Sequence, residues 1–154
     1  MSAVLNFPEE SYRTMCEGDL PDVLEIEKLA YEFPWSKNIF ADCIHSDYEC
    51  WVIESDNKTI GYLIFMLVLG ECHLLNLCVH PQLHGKGYGR RALTKMTNFV
   101  AEKQTTLIFL EVRPSNYAAV NLYESEGFNQ MGSRKNYYPS AKGREDALLF
   151  AKQL

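Results

Sequence analysis

Long apolar runs are missing from this chain: the longest, Tyr62 to Leu69, is well short of the ~18 residues that a membrane-spanning helix needs. The opening MSAVLNFPEE has no basic start followed by an apolar core, so no leader is expected and the chain reads as cytoplasmic, with no membrane partner. Paired cysteine motifs are lacking too. Cys16, Cys43, Cys50, Cys72 and Cys78 are odd in number and contain no CxxC, which argues against both a disulfide framework and a zinc ribbon and leaves reduced, mostly core thiols. Positive charge is in deficit, with 15 Lys and Arg against 20 Asp and Glu. The resulting net charge of −5 has the wrong sign for a chain that wraps nucleic acid and suits a basic protein or a cationic group instead. There is no internal repeat, low-complexity tract or Pro/Gly/Ser linker. With 154 residues, 47% of them apolar, one domain spanning 1–154 with one substantial core is expected.

What is present comes in a mixed order of elements. Asp19 and Pro21 open DLPDVLEIEKLA, whose apolar residues fall at helical spacing, and Ser36 can cap a second short helix to about His45. CWVIES and TIGYLIFMLVL, separated by the turn-type SDNK, read as a hairpin, and CHLLNLCV after Gly70 adds a third antiparallel strand. The pattern then changes. GRRALTKMTNFVAEK carries Leu93, Met96, Phe99 and Val100 on one face, TLIFLEV is a short buried strand, and NYAAVNLYESEG is a helix closed by Gly127. FNQMGSRKNYY and DALLFAKQL flank PSAKGRE as a terminal strand pair. The fold class is therefore α/β with a mixed sheet.

Between the meander and the long helix lies PQLHGKGYGRRAL, with glycines at 85, 87 and 89. Glycines allow positive φ and a close approach to the main chain, and the N–H groups of a helix's first turn attract an anion, so a phosphate is the natural occupant. Lys86, Arg90 and Arg91 add positive charge for a second phosphate. A plain chain reversal remains the alternative. GxxxxGK[ST] is absent and GxGxxG is broken by Arg90, which disfavours nucleotide triphosphate and dinucleotide folds.

The runs LLNLCVHPQLHGKGYGRRAL and IFLEVRPSNYAAVNLYESEGF, with YEFPWS at residues 31–36 and RKNYYPSAKGREDALL near the C-terminus, resemble the GNAT acetyltransferases over nearly the whole chain. Within that family the sequence is similar to members that acetylate the N-terminal alanine of a small-subunit ribosomal protein. The resemblance implies a mixed sheet flanked by helices and splayed between its fourth and fifth strands, with acetyl-CoA as cosubstrate in the gap. It further implies that the backbone of Gly85, Lys86, Gly87, Tyr88, Gly89 and Arg90 cradles the CoA pyrophosphate, and that Leu77, Cys78 and Val79 pair with the pantetheine amides. One departure stands out: family members usually have Gln or Arg where this chain has His84, followed by a second long polar residue, where this chain has Gly85. Backbone N–H contacts survive that change, and His84 reads as an exposed loop residue.

Acetyl transfer to an amine needs a proton removed from an ammonium, a polarised thioester carbonyl and a proton for the leaving thiolate. Glu111, ending the strand TLIFLEV in expected apolar surroundings, matches the family's general base; paired with Arg113, or capping the next turn, it would instead be structural. Tyr123, seven residues after Asn116 and so on its helical face, matches the general acid, against the alternative of a core tyrosine. Asn116 is assigned to CoA by the resemblance and also serves as an N-cap. The aromatics Tyr31, Phe33, Trp35, Tyr137 and Tyr138 are candidates for shaping the acceptor site, with Glu32, Glu71 or Asp146 offering charge to a cationic peptide. Cys72, Cys78 and His80 share parity along one strand, but a six-residue spacing separates the cysteines by ~20 Å, so no metal site is expected.

The reading is an N-terminal protein acetyltransferase acting by direct attack in a ternary complex on a protein N-terminus, a basic ribosomal protein in particular. The alternatives are an acetyltransferase for lysine side chains or small amines, and a non-catalytic CoA-binding module, which the pair Glu111 and Tyr123 argues against. A ping-pong route is not expected, although Cys78 lies near the thioester.

Overall fold

The computed structural model describes residues 9–154. The segment 1–8, on which the reading of the N-terminus rests, lies outside them. Seven strands form one sheet in the order β1-β2-β3-β4-β5-β7-β6. Strands β1 (Glu10–Thr14), β2 (Glu49–Ser55), β3 (Lys58–Val68) and β4 (Glu71–Val79) pair antiparallel, β4 and β5 (Leu107–Val112) pair parallel, and β7 (Gly143–Gln153) lies between β5 and the edge strand β6 (Asn129–Ser140). Sequence periodicity misses β1, because ESYRT is short, polar and an edge strand whose pairing with β2 supplies what its own residues do not. The β2–β3 connection is a two-residue turn with Asp56 and Asn57 at φ of 53° and 59°, the left-handed pair that matches strand twist. The terminal loop is shorter than PSAKGRE suggests: Ser140 pairs with Gly143, leaving Ala141 and Lys142 as the turn. Pro139 is tolerated within β6 because an edge strand can spare an N–H.

Each face of the sheet carries its own core. Helices α1 (Leu20–Ala30) and α2 (Lys37–Ile44) bury Leu20, Val23, Ile26 and Phe40 against Val52, Tyr62 and Ile64. On the other face α3 (Tyr88–Glu102) lays Ala92, Leu93, Met96 and Val100 on Ile53, Leu63 and Phe65. Strand β3 is covered on both sides, which is why its sequence runs apolar without alternation. The Ser36 hydroxyl accepts from the Ile39 N–H at 3.3 Å and starts α2, while α4 (Tyr117–Ser125) is closed by Gly127 at a φ of 89°.

A β-bulge decides where the sheet opens. Phe65 pairs with Leu74 but Ile64 with Asn76, so Leu75 is the extra residue in β4. Pairing between β4 and β5 runs from Glu71–Leu107 to Leu74–Leu110 and stops there. Beyond that point the two strands diverge and the sheet is splayed. The same bulge reverses side-chain parity along β4: Cys72 belongs to the core under α3 and Cys78 to the core under α1. The shared parity expected of Cys72, Cys78 and His80 is thereby corrected.

Candidate active site

The gap between β4 and β5 opens into a cleft of about 1090 Å³. One wall is the diverging end of β4, with Leu77, Cys78 and Val79; the other is α4 and the segment before it, with Asn116, Ala119, Leu122 and Tyr123. Gly85, Gly87, Tyr88, Gly89 and Arg90 form one end, and Tyr31, Glu32 and Phe33 of the α1–α2 connection also reach the cleft.

The glycine-rich loop is strained in the way a cradle requires, at two of its three glycines. Gly85 and Gly87 take φ of 79° and 85°, whereas Gly89 is an ordinary residue of α3, with only Leu122 near the place of a Cβ, at 3.6 Å. The positive φ expected at 89 is corrected accordingly. Gly87 is the N-cap of α3 and offers no capping side chain, so the first-turn amides point into the cleft end. Tyr88 is buried in the core, which leaves its backbone to serve the loop. Arg90 is ion-paired to Glu126, and Arg91 reaches Glu10 at 2.5 Å and the Lys86 carbonyl at 3.2 Å. A Cβ at 87 meets the Arg91 guanidinium at 2.6 Å as well as an unfavourable φ. Gly87→Val is therefore expected to weaken CoA binding about fivefold or more by calorimetric titration, an effect of about 1–3 kcal/mol for a residue forced into the left-handed region. Gly89→Ala should bind nearly as the parent does in the same titration.

Along β4 the carbonyls of Leu77 and Val79 face the gap: the Tyr31 phenol donates to the first at 3.3 Å and His84 Nε2 approaches the second at 2.7 Å. His84 is otherwise exposed. Behind them lies a buried polar hub. The Glu27 carboxylate accepts from the Tyr62 phenol, from Asn76 Nδ2 at 3.3 Å and from the Trp35 N–H at 3.2 Å. The hub ties the α1–α2 connection to the sheet. Burial pushes the Cys78 thiol up to about 12, so it stays protonated and a poor nucleophile. Burial also holds the Tyr31 and Tyr123 phenols above their ordinary value, the second helped by Tyr138 and Cys78 nearby. Both phenols are proton donors at neutral pH.

Tyr123 projects from α4 with its ring against Phe128 at 5.7 Å, and the Asn116 side chain caps the same helix by accepting from the Ala119 N–H at 3.3 Å. Glu111 does not line the cleft from this side. Ile108, Leu110 and Val112 of β5 face α3, so Glu111 faces the other way, pairing with Arg134 at 3.2 Å and holding the nearby Tyr137 phenol above its ordinary value. Its carboxylate sits among polar partners rather than the apolar ones expected, and its cation is Arg134, not Arg113. Arg113 bridges two walls instead, lying 5.6 Å from the Phe33 ring and 4.3 Å from the Tyr138 ring while donating to the Pro139 carbonyl at 2.7 Å.

Among the acceptor candidates, Tyr31 and Phe33 line the cleft, and Tyr137 and Tyr138 meet edge to face at 4.9 Å beside Glu111. Trp35 packs on Phe40 at 5.3 Å inside the α1–α2 core and does not line the cleft. Glu71 is corrected too: it starts β4 beside His73, about 27 Å of strand from Val79. Asp146 accepts from the Asn136 N–H at 2.9 Å and holds a backbone irregularity. Arg113 and Glu27 carry no motif of their own, and only the folded chain shows what they join.

Residues 19–128 match the model of the Acetyltransferase (GNAT) family. The chain is 39% identical over 133 residues, 86% of its length and 90% of the relative's, to the [ribosomal protein bS18]-alanine N-acetyltransferase of Escherichia coli K12. It is 37% identical over 139 residues to the protein of that name from Haemophilus ducreyi, covering 90% of this chain and 96% of the relative. The crystal structure of the ribosomal-protein-S18-alanine N-acetyltransferase from Escherichia coli superposes with a TM-score of 0.88 at 36% identity, covering 94% of each chain.

Proposed function

The chain belongs to the GNAT acetyltransferase family and is an acetyl-CoA-dependent N-acetyltransferase, and from that premise we propose that it acetylates the α-amine of an N-terminal alanine on a small-subunit ribosomal protein. Acetyl-CoA supplies the acetyl group as a thioester. The backbone of residues 85–90 holds the pyrophosphate, and the part of β4 not paired with β5, at Leu77, Cys78 and Val79, meets the pantetheine amides, placing the thioester in the splay. Asn116, on the opposite wall, contributes its amide.

What supports this mechanism is that Tyr123 lines the cleft from the α4 side, while Glu111 lies on the opposite face of the sheet, one residue past the last β4–β5 pair, Leu74–Leu110. Elsewhere paired strands separate such groups. Glu111 takes the proton from the α-ammonium, the amine attacks the thioester carbonyl, and Tyr123 protonates the departing sulfur. Direct attack is favoured over a ping-pong route because Cys78 is held as a thiol. The net charge of −5 suits a basic acceptor, and the compartment of such an acceptor is the cytoplasm. Among the described residues no helix is long and apolar enough to cross a membrane.

Amine chemistry distinguishes this acceptor from lysine. An α-amine has a pKa near ~7.7–8.0 against ~10.4 for lysine, so at pH 7 its neutral form is roughly 200–400 times more abundant. A peptide beginning with alanine and continuing with basic residues is expected to be acetylated near neutral pH, and the same peptide with its α-amine blocked is expected to stay unmodified although its lysines remain. Mass spectrometry after equal exposure to enzyme and acetyl-CoA reads both. Equal acetylation of the blocked peptide, on lysine, would overturn the choice of acceptor.

A further inference from the structure

Strand β6 departs from its partner beside Glu111. Arg134 pairs with Ala147 and Tyr138 with Glu145, so Lys135, Asn136 and Tyr137 stand opposite Asp146 alone. Asn136 takes the left-handed conformation, φ 52°, and its N–H is held by the Asp146 carboxylate at 2.9 Å. In an unbroken strand Tyr137, three residues after Arg134, would point to the opposite face. Here both reach Glu111. Arg134 Nε lies 3.2 Å from Glu111 Oε1, the same carboxylate beside the Tyr137 phenol holds that phenol above its ordinary value, and the Arg134 guanidinium lies 5.5 Å from the centre of the Tyr137 ring. Bulges beside reactive groups serve to re-aim side chains, and this one brings a guanidinium and a phenol to one carboxylate, one residue past the last β4–β5 pair.

We propose that Arg134 and Tyr137 are positioning residues that fix the Glu111 carboxylate toward the splay, and that the β6 bulge, pinned by Asp146, exists to bring them there. The proposal rests on reading Glu111 as the base. It assigns Tyr137 to the proton acceptor rather than to a wall of the peptide site, and gives Asp146 a role through the backbone instead of through the peptide's charge. A carboxylate on a flexible side chain samples several rotamers; two side chains reaching it from β6, across β7, select one of them.

The test is a double-mutant cycle on the full chain, with an alanine-first peptide and acetyl-CoA as substrates. Arg134→Met is expected to lower kcat about tenfold, Tyr137→Phe severalfold, and both to leave the KM for acetyl-CoA unchanged, while Arg134→Lys recovers most of the rate. In a Glu111→Gln background Arg134→Met should cost nothing more, because the base that it positions is already gone. Asp146→Ala touches none of these three side chains yet should reproduce the kcat loss, again only while Glu111 is present. Arg134 and Tyr137 are exposed, so their variants keep the fold. A tenfold loss of the same size in both backgrounds would overturn the positioning role and leave the base intact, as would an unchanged kcat in Arg134→Met. Full activity of Glu111→Gln itself would remove the base and the proposal together.

Discussion

Glu111→Gln is expected to lower kcat/KM by ~10²–10⁴, the usual worth of a general base, while the affinity for CoA holds. Glutamine keeps the shape and its amide oxygen can still face Arg134, so the change removes basicity and little else. The side chain is 29% exposed and lies on the far side of the sheet from the glycine loop, which is why cofactor binding should not respond. Tyr123→Phe should behave in parallel, with kcat reduced and CoA affinity held. The ring stays packed on Phe128 at 5.7 Å, and the lost atom is the hydroxyl that burial keeps protonated. Steady-state kinetics with a peptide acceptor and calorimetry with CoA separate the two quantities. Near wild-type turnover by both variants would mean that the proton transfers are carried elsewhere.

Glu27→Ala is expected to destabilise the fold by about 3–5 kcal/mol, because a buried carboxylate is removed from three donors that have no water to turn to. Glu27 is 2% exposed, and its partners come from three places: Tyr62 on β3, Asn76 on β4 and the Trp35 N–H in the α1–α2 connection. Glu27→Gln should cost less, since the amide oxygen still accepts while its NH₂ opposes one donor. Urea unfolding monitored by Trp fluorescence gives both values. A loss below about 1 kcal/mol for Glu27→Ala would show that the hub is dispensable, against the usual penalty for buried unpaired donors. The kinetic counterpart is a rise in the KM for peptide, because Tyr31 and Phe33 on that connection line the cleft.

How much was legible beforehand depended on how far each determinant reaches along the chain. The glycine loop announces itself because a turn and a helix N-terminus are built from neighbouring residues; Gly85 and Gly87 need their left-handed φ whatever the rest of the chain does. Asn116 and Tyr123 share a wall of the cleft because seven residues are two helical turns, and Ser36 caps α2 three residues ahead of its donor. For the same reason the order of strands and helices follows from periodicity, down to the long apolar run of a strand covered on both faces. Glu111 and Tyr123 were identified through motif resemblance. Nothing local to either residue says that they lie on opposite faces of the sheet.

Tertiary structure decided whatever passes through strand pairing. One extra residue at Leu75 parts β4 from β5, opens the cleft and sends Cys72 and Cys78 to different cores, although their spacing implies a common side. The β6 bulge turns Tyr137 onto Glu111 and takes Asp146 as its pin. Glu71 fails as an acceptor residue because the parallel register places it at the closed end of β4, and Trp35 because the Phe40 ring holds it in the core. For the strands the physical reason is common. A strand's period of two is local, but its phase and its partners are set by contacts between segments tens of residues apart, and a single inserted residue reverses every side chain that follows it.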